Sequence, residues 1–481
     1  MILNSFEFLR ILPIVLLVYV IVAWAWRGSR YCSIISASLL TVISYTFIIS
    51  FQPACALFIF LITALTYGFG LFFGRHKGTH RARMWIPFGA IIILLPLIIF
   101  KYADFIADAF LQACHALGLT ETAVREPASF GFIIPIGISF FTFQSIGYVW
   151  DVYRGKTDPE HNFIYYMLFV AFFPQIASGP ISKASELLPQ IKNRPAIVYS
   201  DIAEGVWLMA LGFFLKAVVA DRLATYVNPV YADYANFSGS TCFLASIFYS
   251  IQLYGDFAGY SLMAVGVGRL FGYRLINNFQ RPYFAHSVTE FWRRWHISLT
   301  RWLKENVYIP LGGNRRGKAR TYGNIIATFA VSGIWHGANY TFIIWGLIHG
   351  AVQCVERWFG LGDKPKNRFV LALRILLTFL IVNFAWIFFR MPTLKDAVSV
   401  IKRIVTFAPG ASLNPSKTTI LLIGFALISL FVTEFIREYF PQFKPLKSTN
   451  AAMRVIALIL LLFIVLTVGV LDSSQFIYVN F

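Results

Sequence analysis

Residues 324–350 read NIIATFAVSGIWHGANYTFIIWGLIHG, an apolar stretch with His336 near its middle and glycines at 333, 337, 346 and 350. Laid out as helix at about 1.5 Å per residue, it covers roughly 40 Å, enough to cross a bilayer with His336 at mid-depth. Hydrocarbon offers imidazole no partner, so an ionisable ring held there is costly and is read first as a functional site. Two expectations follow. Helical crossings build the fold, and one of them carries chemistry.

Outward from this stretch, runs of similar length recur along the whole chain, at 6–26, 34–51, 55–73, 85–100, 131–149, 162–177, 202–220, 241–272, 369–391, 418–436 and 453–471. With 58% hydrophobic and only 13% charged residues, against about 25% charged in soluble domains, the chain reads as an all-α, polytopic integral membrane protein. About eleven to twelve crossings are expected, with some re-entrant or interfacial helices. The stretches 241–272 and 324–350 contain Gly, Asp or His that suit broken helices facing a cavity. The first run has no cleavage site and is expected to be retained. Arg27, Arg30, Arg75, Lys77, Arg81 and Arg83 place the first and third loops in the cytoplasm, whereas Lys183, Lys192 and Arg194 fit that alternation only if some segments are re-entrant. No linker, extramembrane domain or repeat interrupts residues 1–481, which are read as one membrane-embedded domain.

The net charge of +19 is spread over short loops. Anionic lipid headgroups, and not nucleic acid, are its expected partners. Five cysteines lack C-x-x-C spacing, so neither a metal site nor a disulfide framework is expected.

The longest polar interval, 273–322, is expected to hold interfacial or re-entrant helices and a basic loop. Ser287-Val-Thr-Glu290 has capping-box spacing. Projected at 100° per residue from that cap, Phe291, Trp292, Trp295, Leu299, Trp302 and Leu303 share one side, and Glu290, Arg293, Arg294, Arg301 and Lys304 share the other. The bland reading is a helix lying in the membrane interface with its tryptophans at headgroup depth. His296 falls at the edge of the apolar side, and an anchor has no need of imidazole there. The following loop, YIPLGGNRRGKAR (308–320), crowds basic side chains on a turn that suits an anionic group, either lipid headgroups or the phosphates of a nucleotide-bearing donor.

Around His336, Gly333 and Gly337 are spaced to let a helix or substrate approach closely. Histidine is the side chain that most often takes a proton from a hydroxyl attacking an acyl carbonyl. The alternative for His336 is a structural histidine bonded to a neighbouring carbonyl, and for His349, near Glu356 and Arg357, that structural reading is favoured. Asp256, in LYGDFAGY (253–260), needs a partner such as Arg269, Arg294 or a histidine. No G-x-S-x-G, Walker, H-E-x-x-H or dinucleotide fingerprint is present. A transporter or channel also explains buried ionisable residues, but such proteins commonly show related halves, and none is visible here.

The segments DFAGYS (256–261), EFWRRWHISL (290–299), YIPLGGNR (308–315) and GIWHGAN (333–339) resemble the membrane-bound O-acyltransferase (MBOAT) family, in its alginate O-acetyltransferase subgroup. FFPQIASGPI (172–181), NSFEF (4–8) and QFIYVNF (475–481) resemble it too, so the likeness covers nearly the whole chain. The resemblance implies a ring of helices around a central tunnel, with catalytic roles for His336 and His296 and supporting positions along the tunnel for Asp256, Glu290, Arg294, Trp335 and Asn339. It implies no permanently bound cofactor, acetyl-CoA as a cytoplasmic donor, a bacterial inner-membrane location, and an extracytoplasmic partner of the SGNH type that completes acetylation of a polysaccharide. The D-alanyl transfer proteins of teichoic acids, fed by a carrier protein, share the SGPI and WH elements and are the runner-up.

Overall fold

The structure is a computed structural model that describes residues 3, 5–119, 130–131, 134–135, 137–440, 442 and 451–470. Asn4 and the closing segment 475–481 lie outside these. The described chain is helical: α1 (Phe6–Ala25), α2 (Cys32–Phe51), α3 (Pro53–Arg75), α4 (His80–Ala116), α5 (Ile138–Tyr153), α6 (Phe163–Ala171), α7 (Phe173–Ile176), α8 (Ala184–Lys192), α9 (Tyr199–Phe213), α10 (Asp221–Ala232), α11 (Gly239–Leu270), α12 (Val288–Arg294), α13 (Ile297–Leu303), α14 (Lys318–His336), α15 (Tyr340–Trp358), α16 (Arg368–Arg390), α17 (Leu394–Val405), α18 (Lys417–Tyr439) and α19 (Ala451–Val468). Wider π-helical turns follow α9 at Phe214–Ala220 and α13 at Lys304–Tyr308. Among the described residues, paired extended backbone is limited to one bridge between Phe237 and Ala411.

Among the described residues, seven helical segments are long and apolar enough to cross a membrane: Glu7–Ala25, Cys32–Phe51, Pro53–Arg75, His80–Ala116, Tyr199–Ala232, Arg368–Arg390 and Lys417–Tyr439. Fewer segments meet that standard than the eleven to twelve apolar runs, because several runs are not single apolar helices. Left-handed Gly137 (φ 72°) delays α5 until Ile138, leaving 16 residues. The run 162–177 breaks at Phe172, where Pro174 at the start of α7 lacks the N–H that would continue α6. The opposite happens at 241–272. No break forms there, and α11 continues for 32 residues.

Leu17, Trp24, Leu57, Phe110, Leu421 and Phe463 all face outward. Apolar area on this scale is a liability in water and the ordinary covering of a membrane protein. Inside it, α11 is buried along most of its length and packs on α9. Glycine makes that approach possible: a Cβ on Gly212 would lie 2.6 Å from the Gly259 carbonyl oxygen, and one on Gly259 would lie 2.7 Å from that of Gly212. The aromatic and aliphatic core on the other side of α11 takes in α12, α13, α15 and α16. The histidines lie there.

Candidate active site

The stretch 324–350 forms two helices and not one. α14 ends at His336, Gly337 is extended, and Asn339 restarts the chain by accepting the Thr341 N–H at 3.0 Å as the cap of α15. The stretch is therefore a helical hairpin with His336 at its bend, a broken helix of the kind its glycines suit and not a single span with a mid-helix histidine. α14 and α15 fold back on each other at Gly333, which meets the Phe342 carbonyl, and at Gly346, which meets that of Phe329. Those glycines are needed for close approach, as their spacing suggests. The hairpin brings His336 to the last residue of a helix.

His296 also sits at a break. The helix expected from the Ser287 cap stops at Arg294, and α13 begins at Ile297, with His296 between them in the left-handed conformation (φ 42°, ψ 54°). Such a backbone costs a non-glycine residue of order 1–2 kcal/mol and persists only where the surroundings impose it. Asn278 imposes it here: its backbone carbonyl accepts the Ile297 N–H at 2.9 Å and its side-chain oxygen accepts that of Ser298 at 3.1 Å. The Ser298 hydroxyl in turn accepts the N–H of Ile181, tying the SGPI segment to α13. The Ser287 cap forms as expected, accepting the Glu290 N–H at 3.0 Å, although the Glu290 carboxylate reaches back to the N–H of His286.

The interfacial reading of this segment is overturned. Phe291, Trp295 and Leu299 are fully buried and Trp292 nearly so, packed against Trp345, His349 and Trp386. The apolar side meets protein, not headgroups.

Trp335 joins the two breaks. Its indole centre lies 4.8 Å from the His336 ring and 6.0 Å from the His296 ring, and Phe140 and Phe143 complete its surroundings at 5.5 and 5.4 Å. Trp345 and Phe389 enclose His336 at 4.9 and 5.4 Å, and Phe257 stands edge-on to His296 at 4.7 Å. Both histidines are shut in, His296 at 0% and His336 at 2% exposure. Neither ring nitrogen of His296 hydrogen-bonds to a described residue. His349 is equally buried within the same aromatic cluster.

The other expected site residues divide. Asp256 is paired with Lys216 at 2.7 Å, and Lys216 also binds Asp221 at 2.8 Å, all three being buried. The two arginines named as candidate partners are engaged elsewhere, Arg269 with Asp201 and Glu204, and Arg294 with Glu290 and Glu438. Glu290 and Arg294 thus belong to an ionic group that fastens α12 to α18. Asn339 serves as a helix cap, and its amide donates to the Pro392 carbonyl at 2.6 Å. Of the supporting residues, Trp335 is the one whose side chain touches both histidine rings.

Sequence reasoning missed Lys101 and Tyr102. Lys101 donates to the carbonyls of Trp335 (2.8 Å) and His336 (3.1 Å), and the Tyr102 hydroxyl donates to that of Ile334 (2.6 Å). A lysine directly after the apolar run 85–100 looks like the end of a span, but α4 runs on to Ala116 and carries it inside. Nearby, a small cleft is lined by Gln144, Asp151, Lys183, Arg301, Trp302 and Glu305. Trp302 and Phe143 help to line it and are stacked at 3.8 Å, with the indole N–H donating to the Phe143 carbonyl. Phe143 touches Trp335, so two rings connect the polar cleft to the indole beside the histidines.

Residues 159–394 match the profile of MBOAT, the membrane-bound O-acyltransferase family. A probable alginate O-acetylase of Pseudomonas aeruginosa is 36% identical over 93% of this chain and 84% of its own. A peptidoglycan O-acetyltransferase of Helicobacter pylori is 38% identical over 67% of this chain and 65% of its own. A teichoic acid D-alanyltransferase of Bacillus subtilis is 29% identical over 53% and 68%. The matched segment contains both helix breaks and both enclosed histidines. This chain belongs to the membrane-bound O-acyltransferase family and is a polytopic membrane enzyme that transfers acyl groups.

Proposed function

We propose that the chain takes an acetyl group from acetyl-CoA on the cytoplasmic side of a bacterial inner membrane and passes it outward for O-acetylation of an exported polysaccharide, of the alginate, peptidoglycan or cellulose type. His336 is the base of the transfer. Its imidazole takes the proton of the acceptor hydroxyl as that oxygen bonds to the acetyl carbon, the carbon–sulfur bond to coenzyme A breaks, and the imidazolium returns the proton to the leaving thiolate. His296, on the same indole, orients or assists the reacting group. An extracytoplasmic partner of the SGNH type then completes the modification of the glycan.

One observation carries this reading: two imidazoles from two separate helix breaks contact the single indole of Trp335 within an aromatic core. A charged coenzyme cannot cross hydrocarbon, so the nucleotide end of the donor stays at a polar entrance and its uncharged thioester end reaches inward to His336. The cleft beside Phe143 and Trp302 offers such an entrance. His336 is enclosed, so access requires the rings between them to part. Acetyl is favoured over D-alanyl by the greater reach of the alginate O-acetylase likeness, 93% of the chain against 53%.

The test is the acetyl-ester content of exported polysaccharide in cells carrying His336→Gln at normal protein level. Loss of about 100-fold or more is expected for removal of a general base. Retained acetylation removes His336 from the mechanism. Supplying membrane vesicles with labelled acetyl-CoA or a loaded acyl carrier protein identifies the donor, and transfer from the carrier alone moves the assignment to the D-alanyl branch.

A further inference from the structure

α14 ends inside the protein, and its end has to be satisfied there. The Gly337 N–H reaches only the Gly333 carbonyl, at 3.4 Å, and the chain then leaves the helix. The helical ladder stops, so the carbonyls of Ile334, Trp335 and His336 must find donors elsewhere. At a wet helix end, water would serve. Within the membrane-embedded interior, protein donors must take its place.

α4 supplies them. The Tyr102 hydroxyl binds the Ile334 carbonyl, and the Lys101 ammonium binds those of Trp335 and His336 while also reaching the Ser139 hydroxyl at 3.3 Å. The same nitrogen lies 5.8 Å from the centre of the Trp335 ring, the indole shared by both histidines.

We propose that Lys101 is a positioning residue for His336. By holding the peptide carbonyls of residues 335 and 336, it fixes the direction in which the imidazole leaves the end of α14, with Tyr102 securing the preceding carbonyl. This inference deepens the reading of His336 as the proton acceptor and rests on it. Lys101 touches no reacting atom in this account. It acts through the backbone of the residue that does.

Membrane vesicles carrying the full chain as wild type, Lys101→Arg, Lys101→Gln, Lys101→Met, Tyr102→Phe or His336→Gln are given labelled acetyl-CoA. Initial transfer rates are followed against donor concentration and expressed per folded protein. Turnover should fall as donors are lost, in the order Arg, Gln, Met, reaching a loss on the order of 10- to 100-fold in Lys101→Met, since misplacement by about 1 Å can cost that much. KM for acetyl-CoA should stay constant, and Tyr102→Phe should give a smaller loss of the same kind. A purely structural lysine would reduce the amount of protein and leave the turnover of surviving molecules unchanged. Wild-type turnover in Lys101→Met overturns the proposal; where that variant does not accumulate, Lys101→Gln turning over as fast as Lys101→Arg does so. A silent His336→Gln beside a fully active Lys101→Met overturns the lysine's role alone, whereas an active His336→Gln overturns the parent reading.

Discussion

Two of the polar groups buried among the described residues are built in opposite ways. In the triad of Asp221, Lys216 and Asp256, one ammonium is held by two carboxylates at 2.8 and 2.7 Å. Around His296 and His336 stand the rings of Phe140, Phe257, Trp335, Trp345 and Phe389. Charge buried without a partner is costly, so a group whose task is to hold helices together is paired. The two imidazoles are set among ring faces and edges, at the ends of helices. The triad ties helices together, and the ringed histidines are the groups to which the proposed function assigns the proton transfer.

The comparison breaks most directly at Lys216. Lys216→Met leaves two carboxylates facing each other in the interior, and removing one partner of a buried ionic group costs about 3–5 kcal/mol. Accumulated protein and melting temperature should fall sharply, while surviving molecules turn over near the wild-type rate. His336→Gln should do the reverse. Its thermal stability in detergent should stay close to wild type while transfer drops about 100-fold, equivalent to about 2.7 kcal/mol on the barrier. A stable, inactive Lys216→Met or an unstable, active His336→Gln would exchange the two roles.

His349 sharpens the comparison from within the aromatic group. It is as buried as His296, lies on α15, and contacts Trp345 at 5.1 Å and Trp292 at 5.2 Å. If burial among rings alone made a histidine catalytic, His349 would be one. His349→Leu, a swap of similar volume, should cost under about 1.5 kcal/mol in stability and leave transfer essentially unchanged in the labelled acetyl-CoA assay. What separates His336 and His296 from it is their place at helix ends beside Trp335.

The sequence made some of this legible and hid the rest for physical reasons. The break after His336 is local: Gly337 and the capping Asn339 announce it, and the glycines 333 and 346 show where the hairpin closes. The break at His296 has no glycine or proline. It is imposed by Asn278, eighteen residues away from it in the chain. Periodicity correctly found the apolar side of 291–303 but could not say whether that side meets lipid or protein, and it meets protein. Asp256 was recognisable as a residue in need of a partner, whereas the wide turns at Phe214–Ala220 that present Lys216 leave no periodic trace.

Asn339 gives the smallest effect and the finest distinction. It stands three residues from His336 in GIWHGAN, and the family resemblance places it along the tunnel. Its observed bonds are those of a cap, with its oxygen on the Thr341 N–H and its amide on the Pro392 carbonyl. Caps of this kind contribute about 1 kcal/mol. Asn339→Ala should therefore lower the melting temperature slightly and leave turnover per folded molecule as it was, with Asn339→Asp, which keeps the accepting oxygen, recovering part of the loss. A fall in turnover of tenfold or more at unchanged stability would put the amide at the reacting group. The bend of the hairpin would then join the aromatic histidine group, and the division between ion-paired scaffold and ring-enclosed histidines would no longer follow the helix ends.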